Sequence, residues 1–188
     1  PLLSYFGFIR KDKGVELLFH AFKNILEQGY KTKLLIIGEL TSNNKYYQAV
    51  KQLAEDLRIT DKIIWSGSCK DTEVSTYLGG SDICILPFTD GVSLRRSSFI
   101  AAASHCLPVI TTVGKDIPEE LKDHENVLLV KVGDVSGLTN AITELLMSEE
   151  LRHKLSKKAG DLANQFSWQI IALKTISVYE ELDSEKNK

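Results

Sequence analysis

The sequence predicts an α/β domain with a Rossmann-like fold, a doubly wound parallel sheet of about six strands with C-terminal helices. The chain has 188 residues, of which 43% are hydrophobic and 26% charged, enough for one domain with a full core. Short aliphatic runs alternate along it with longer segments of helical spacing. The short runs are apolar throughout, which is typical of strands covered on both faces. Ligands of such sheets bind beyond the carboxyl ends of the strands, where the strand order reverses.

Each element follows from these patterns in turn. The first strand ends in a charged cluster before Gly14, and apolar residues then recur at helical spacing from Val15 until Gly29 stops the helix. The later strands are nearly pure apolar runs, several of them closed by glycine. We predict strands at residues 2–9, 33–37, 62–65, 82–86, 108–112 and 127–130. We predict helices at residues 15–28, 44–58, 71–78, 94–106, 135–147, 149–165 and 168–183, and one helical turn at 117–123.

Composition and charge exclude several classes of function. Lys and Arg total 23 and Asp and Glu total 25, so the chain lacks the basic excess of a nucleic-acid-binding protein. No apolar run reaches the roughly 18 residues needed to span a bilayer, and no signal-peptide pattern is present. The three cysteines lack a CxxC spacing and the four histidines lack HxxxH or HExxH spacings. We therefore expect reduced thiols in a cytoplasmic protein, and no metal.

The beginning of the chain suggests a missing part. It opens without Met and already inside an apolar run. We expect a domain excised from a longer protein, with its upstream partner absent.

Two loops at the predicted carboxyl edge of the sheet carry candidate anion ligands. Lys13 and Gly14 stand just before the helix that begins at Val15. In the fourth loop Ser93 is a favourable N-cap, which would place Arg95 and Arg96 in the first turn of the helix predicted at 94–106. Cations there are unfavourable by about 0.3–1 kcal/mol each, because the helix dipole is positive at that end.

A bound phosphate would reverse the sign of this effect in the fourth loop. The helix N–H groups, the hydroxyls of Ser93 and Ser97 and the two guanidinium groups would then converge on one anion. The alternative is that the two arginines are solvated, or pair with Asp90 or a neighbouring carboxylate.

The other candidate residues follow strands. Gly38 and Gly67 could let a ligand approach the backbone closely, or could be plain turns. The chain has no GxGxxG after the first strand, no GxxxxGK[ST] and no GxSxG, which excludes the usual dinucleotide, P-loop and hydrolase motifs. No acid–base pair stands out, and we expect His105 to cap or pack its helix rather than act in catalysis.

Six stretches of the chain resemble, in order, motifs of one enzyme family. Residues 7–18, GFIRKDKGVELL, resemble the "G-R-L-x-x-x-K-G-x-x-x-L" opening of the C-terminal domain in GT-B glycosyltransferases of family 4. Five later stretches are similar to its strands: LLIIG at 34–38, IIWSG at 63–67, SDICILP at 81–87, LPVITT at 107–112, and NVLLV with GD at 126–134. The final helices, with FSW at 166–168, look like the family's closing helix.

The chain also departs from the family pattern. Phe8 stands where the family usually has Arg, whereas the family lysine is kept as Lys13. Residues 90–97 resemble a "D-G-V-S-x-R-R-x-S" variant of bacterial members. We infer that Arg95 and Arg96 replace the missing arginine as diphosphate ligands.

A second departure concerns the family's E-x7-E element. Its two glutamate positions fall on Ser93 and Ala101. In typical relatives the first glutamate lies near the donor sugar and the second holds the ribose. Ala101 cannot do the latter, so the resemblance leaves ribose recognition without its usual ligand.

The resemblance implies the donor-binding half of a retaining glycosyltransferase. Such an enzyme moves a sugar from a nucleoside-diphosphate sugar, of the UDP or GDP type, to a hydroxyl acceptor without an obligatory metal, here in polysaccharide or glycolipid synthesis. The acceptor site and any catalytic base would lie on the missing N-terminal domain, toward which helix 168–183 would pack. This chain alone would then bind donor weakly and transfer nothing. Any membrane contact, at the inner face, would be made through the missing half.

The candidate site residues and the rival functions are these. For the diphosphate we select Lys13, Gly14, Ser93, Arg95, Arg96 and Ser97, and for the base Gly38, Gly67 and Ser68. A sugar-nucleotide epimerase on the same half-fold would need acidic or His residues facing the anomeric side, where Ser93 and Ala101 stand. A non-catalytic paralogue that has lost its site would explain Phe8 together with those two residues. The cations Lys13, Arg95 and Arg96 argue against such a paralogue, because random drift would not select cations at the start of a helix.

Overall fold

The sheet that the sequence predicts is confirmed in a computed structural model, which describes residues 1–38 and 45–186. The strands are β1 Leu2–Phe6, β2 Lys33–Ile37, β3 Ile63–Trp65, β4 Ile83–Leu86, β5 Val109–Val113 and β6 Leu128–Lys131. All five neighbouring pairs are parallel, in the order β3-β2-β1-β4-β5-β6. The chain builds outward from β1 to β3 and then crosses to β4, so the strand order reverses between β1 and β4.

Seven α-helices lie within the described residues. They are α1 Val15–Glu27, α2 Lys45–Asp56, α3 Asp71–Gly79, α4 Ser97–Ser104, α5 Val135–Met147, α6 Glu149–Asn164 and α7 Trp168–Lys186. Helix α1 contacts α2 and α5, whereas α4 contacts α6. All four residues of β4 are buried, as a central strand with helices on both faces requires.

The apolar runs explain why these segments become strands. Residues 34–37 of β2 and 83–86 of β4 are at most 4% exposed. Burial of each such aliphatic side chain stabilises the fold by about 1.5–3 kcal/mol. A helix would turn some of these consecutive apolar side chains toward water, whereas a covered strand buries them all.

Several predicted segments differ from the structure. β1 ends at Phe6 rather than at residue 9, because Gly7 adopts a φ of 146° and the Tyr5 hydroxyl donates to the Phe8 carbonyl at 2.9 Å. The helical turn predicted at 117–123 is wrong. That stretch is instead an irregular loop. The Asn126 side-chain oxygen stabilises it by accepting a hydrogen bond from the Lys122 N–H at 2.9 Å. Position 44 of the second predicted helix lies outside the described residues.

The last helix, α7, is largely exposed to solvent. Every residue from 168 to 183 is exposed, and these include apolar side chains such as Trp168, at 83%, and Tyr179, at 66%. Among residues 1–38 and 45–186, no helix combines the length and apolar content needed to cross a membrane.

Candidate functional site

A cavity of about 270 Å³ opens at the carboxyl edge of the sheet, beside the reversal in strand order. Its walls come from the loops after β1, β2 and β3 and from the beginnings of α3 and α4. We call it the edge cavity. It brings together four of the predicted site residues, Lys13, Gly38, Ser68 and Ser97.

Lys13 supplies the cation of the edge cavity. It ends a 3-10 turn at Lys11–Lys13, and its side chain is only 17% exposed. Its Nζ lies 3.4 Å from Asp12 Oδ2. The hydrogen bond from Arg10, together with the charges of Lys13 and Arg10, lowers the pKa of Asp12 to about 2, so this carboxylate is ionised at neutral pH. The Lys13 ammonium group therefore contacts the Asp12 carboxylate and also lines the edge cavity.

Two of the predicted glycines are required by the packing of the backbone, whether or not a ligand binds. Gly14 adopts a φ of 67°, and a Cβ there would overlap the carbonyl oxygen of Pro87. Gly38 approaches Gly7 in the same way, since its Cβ would overlap the Gly7 carbonyl oxygen. Both positions bring the backbone of one loop against another, so only glycine fits. Gly14 does not line the edge cavity, whereas Gly38 does.

Of the two predicted site residues in the loop after β3, only one lines the edge cavity. Gly67 has a φ of 73° with open space around it, and it lies outside the cavity lining, whereas Ser68 is exposed and lines it. The Ser66 hydroxyl accepts from the Gly38 N–H at 3.3 Å and donates to the Gly67 carbonyl at 3.0 Å. This side chain thereby connects the ends of β2 and β3, next to the cavity-lining residue Gly38.

The predicted start of the helix in the fourth loop is wrong. α4 begins at Ser97 rather than at residue 94, and its N-cap is Arg96, which has extended dihedral angles, rather than Ser93. The residues before α4 are bonded outside the helix. The Val92 N–H donates to the Thr112 carbonyl of β5 at 2.8 Å, and the Arg96 N–H donates to the Ser93 carbonyl, which closes a turn. Arg96 therefore occupies the N-cap position without a side-chain capping hydrogen bond, and Arg95 precedes it.

The two arginines have opposite surroundings. Arg95 is exposed and lies outside the lining of the edge cavity. Arg96 is 16% exposed, pairs with Asp90 and stacks over the Phe88 ring, with Cζ 4.1 Å from the ring centroid. Pairing with Asp90 is the alternative that the sequence left open, and the structure confirms it for Arg96.

Ser93 and Arg96 line a second, more open cavity of about 700 Å³. It lies between the β4–α4 loop and the β5–β6 loop, which meet where Gly91 packs against Gly114. We call it the loop cavity. The residues selected for the diphosphate are thus divided: Lys13 and Ser97 face the edge cavity, and Ser93 and Arg96 face the loop cavity.

Several residues of the site were not selected from the sequence. The N-cap of α3 is Lys70, whose N–H donates to Glu73 at 2.8 Å. Asp71 is the first helical residue, and it lines the edge cavity together with Ser98 at the start of α4. Their positions after a strand and at a helix start were the only signal. Phe88 has no such signal, because its side chain carries no charge and no hydrogen-bonding group.

The edge cavity can bind a ligand with two different ends. Lys13 and the first N–H groups of α4, which have no acceptor within the helix, suit an anion. The Asp71 carboxylate only accepts hydrogen bonds and suits hydroxyl or N–H groups of a ligand. Within the described part of the chain, no group of three or more His, Cys, Asp or Glu residues is placed to hold a metal.

Comparison with known proteins gives the family. The profile of the family described as "Glycosyl transferases group 1" matches residues 1–161. The chain belongs to the glycosyl transferases group 1. It is 29% identical to the capsular polysaccharide biosynthesis glycosyltransferase CapM of Staphylococcus aureus, over 99% of this chain and 46% of that protein. This group 1 chain thus spans about half the length of the curated relatives it matches.

Two solved structures have the same fold as this group 1 domain. The C-terminal domain of the glycosyl transferase group 1 family protein LpcC from Francisella tularensis superposes with a TM-score of 0.76 at 22% identity, over 87% of this chain and 84% of that chain. Anabaena Alr3699/HepE, solved in complex with UDP and glucose, superposes with a TM-score of 0.79 at 17% identity, over 97% of this chain and 48% of that chain. At these identities the likeness shows the fold alone.

Proposed function

We propose that this chain is the donor-binding, C-terminal half of a retaining glycosyltransferase. It takes a nucleoside-diphosphate sugar, of the UDP or GDP type, and passes the sugar to a hydroxyl acceptor in polysaccharide or glycolipid synthesis, without a metal. Membership of the group 1 family supports this proposal. The match to the LpcC C-terminal domain supports the position in the longer protein, and the UDP and glucose held by HepE support the class of donor.

The observation that carries the proposal is the position of Lys13 beside the start of α4 in the edge cavity. When a glycosidic bond to a nucleoside diphosphate breaks, negative charge develops on the departing diphosphate. The Lys13 ammonium and the N–H groups of Ser97 and Ser98 are fixed in place before the reaction. Preorganised donors of this kind typically lower a barrier by several kcal/mol.

The other end of the edge cavity suits the nucleoside. Asp71 accepts hydrogen bonds from ribose hydroxyls or from N–H groups of a base, while Ser68 and Gly38 line the wall between it and the diphosphate end. In this arrangement Asp71 compensates for Ala101, which offers the ribose no hydrogen bond.

The acceptor half would meet this domain at α7. That helix presents Trp168, Leu173 and Tyr179 to solvent, at 83%, 63% and 66% exposure. Large apolar side chains exposed together mark interaction surfaces. The curated relatives are about twice as long as this chain, and their additional length would supply a domain to cover this helix.

Calorimetric titration of the 188-residue chain with UDP, GDP and their sugar conjugates tests the proposal. We expect one nucleotide series to bind and Lys13→Met to weaken binding by about 10- to 100-fold, because a hydrogen bond to a charged group contributes about 1.5–3 kcal/mol. Lys11→Met is the matched control. It removes an exposed lysine from the same 3-10 turn, outside the edge cavity, and should leave the affinity within about two-fold.

Two results would contradict the proposal. One is the absence of heat with every nucleotide at millimolar concentration. The other is an equal loss in the Lys11 and Lys13 variants, which would mean that binding depends on surface charge rather than on the edge cavity.

A further inference from the structure

We propose that Phe88 is a positioning residue that holds the cations of Lys13 and Arg96 over one aromatic ring, so that both face the same diphosphate. The inference rests on the proposed function and deepens it. It also joins the two cavities, since Lys13 lines the edge cavity and Arg96 lines the loop cavity.

The geometry places two cations on one ring. The Phe88 ring is 1% exposed. Lys13 Nζ lies 5.3 Å from its centroid, and Arg96 Cζ lies 4.1 Å from it. Both distances are within the roughly 6 Å at which a cation is attracted by the negative face of a ring. The ring thereby offsets part of the repulsion between two positive charges that come from different loops.

Hydrogen bonds hold the backbone at Phe88 and Thr89. The Phe88 carbonyl accepts from the buried Thr112 hydroxyl at 2.5 Å and from the Gly91 N–H at 3.4 Å. The N–H of the next residue, Thr89, donates to the Asp12 carbonyl at 3.1 Å. These bonds connect the end of β4 to β5 and to the loop that carries Lys13, so the ring and both cations belong to one hydrogen-bonded unit.

The carboxylates of this unit are more exposed than its cations. Asp12 and Asp90 have side chains 39% and 64% exposed, whereas those of Lys13 and Arg96 are 17% and 16% exposed. A diphosphate that approached from solvent would displace the carboxylates, while the cations would stay on the ring.

Core packing alone does not explain this arrangement. A leucine would also fill an apolar site at the end of β4, but it would attract no cation. Arg96 gives up a hydrogen bond to remain there, because its buried Nε has no acceptor among residues 1–38 and 45–186. An unsatisfied buried donor is unfavourable, and the ion pair with Asp90 and the stacking on the ring together offset that loss.

Phe88→Leu, compared with Phe22→Leu, tests the inference in the 188-residue chain. Phe22 lies on α1, is equally buried and has no cation over its ring within the described residues. Both variants should melt at lower temperature by a similar amount. We expect Phe88→Leu to weaken UDP or GDP binding about ten-fold and Phe22→Leu to change it less than two-fold, as loss of partly desolvated cation–π contacts implies. Phe88→Tyr keeps the ring and should restore most of the affinity.

A second measurement does not depend on any nucleotide. The Arg96 Hε resonance in the NMR spectrum of the free chain should show an upfield ring-current shift, which Phe88→Leu abolishes and Phe22→Leu leaves unchanged.

The possible failures are distinguishable. Equal affinities in the two leucine variants, with the wild type binding normally, would overturn the role of Phe88 and leave the proposed function intact. Absence of nucleotide binding by the wild-type chain would overturn both. Absence of the ring-current shift would remove the stacked geometry on which the inference is built.

Discussion

Gly14→Ala tests the close approach that holds Lys13 in place. Gly14 has a φ of 67°, and a Cβ there would overlap the Pro87 carbonyl oxygen and lie 3.0 Å from its carbonyl carbon. Both atoms belong to the backbone, so no side-chain rotation relieves the overlap. The left-handed conformation adds about 1–2 kcal/mol for alanine, and the overpacking adds about 1–3 kcal/mol. We expect the free energy of unfolding to fall by about 3 kcal/mol, or the Tm by about 6–12 °C in a chain of this size.

Gly29→Ala is the matched control for this prediction. Gly29 follows α1 with a φ of 88°, and a Cβ there would meet nothing within 4 Å, so only the conformational term applies, about 1–2 kcal/mol. Urea unfolding followed by circular dichroism gives both free energies. The difference between the variants measures the backbone contact with Pro87. A Gly14 variant no less stable than the Gly29 variant would refute the reasoning.

Two further predictions concern other parts of the fold. Partial burial lowers the pKa of His124, but hydrogen bonds and charges from Asp123 and Glu144, at 3.0 and 3.2 Å, outweigh it and raise the pKa above 6.5. The stability it adds is therefore complete below the unfolded pKa and lost as the pH rises through the folded value. We choose His124→Asn because asparagine tolerates the φ of 57° at this position. The variant should have a lower Tm than the wild type at pH 5.5 and nearly the same Tm at pH 8.5. A difference in Tm that grows as the pH rises would contradict this. Deletion of 168–188 should leave the Tm within about 2 °C, because the described side chains of α7 are exposed, and a much lower Tm would mean that α7 packs on the domain.

The sheet could be predicted from the sequence because its signal is local. The range 33–37 for β2 and the range 135–147 for α5 agree with the structure to the residue. An uninterrupted apolar run, or a helical repeat that begins at an N-cap such as Asp134, determines its own element almost independently of its neighbours. Errors of one to three residues occur where an element ends in a loop.

The start of α4 could not be predicted, because tertiary contacts decide it. Ser93 has the higher intrinsic preference for an N-cap. The hydrogen bond from Val92 to Thr112 keeps the chain extended alongside β5, and the contacts of Arg96 with Asp90 and Phe88 keep its backbone out of the helix. None of these partners is visible from residues 90–97 alone.

The same limit applies to the choice of cations. Arg95 and Arg96 are neighbours of the same type, and a charge pattern gives them equal weight. In the structure one is exposed and the other is 16% exposed against a buried ring. An exposed charge in water contributes little to binding, since solvent and salt screen it. A cation held against a ring is already partly desolvated and has lost its side-chain freedom before the ligand arrives. Burial, rather than position along the chain, therefore distinguishes Lys13 and Arg96 as the pair that we propose for the diphosphate.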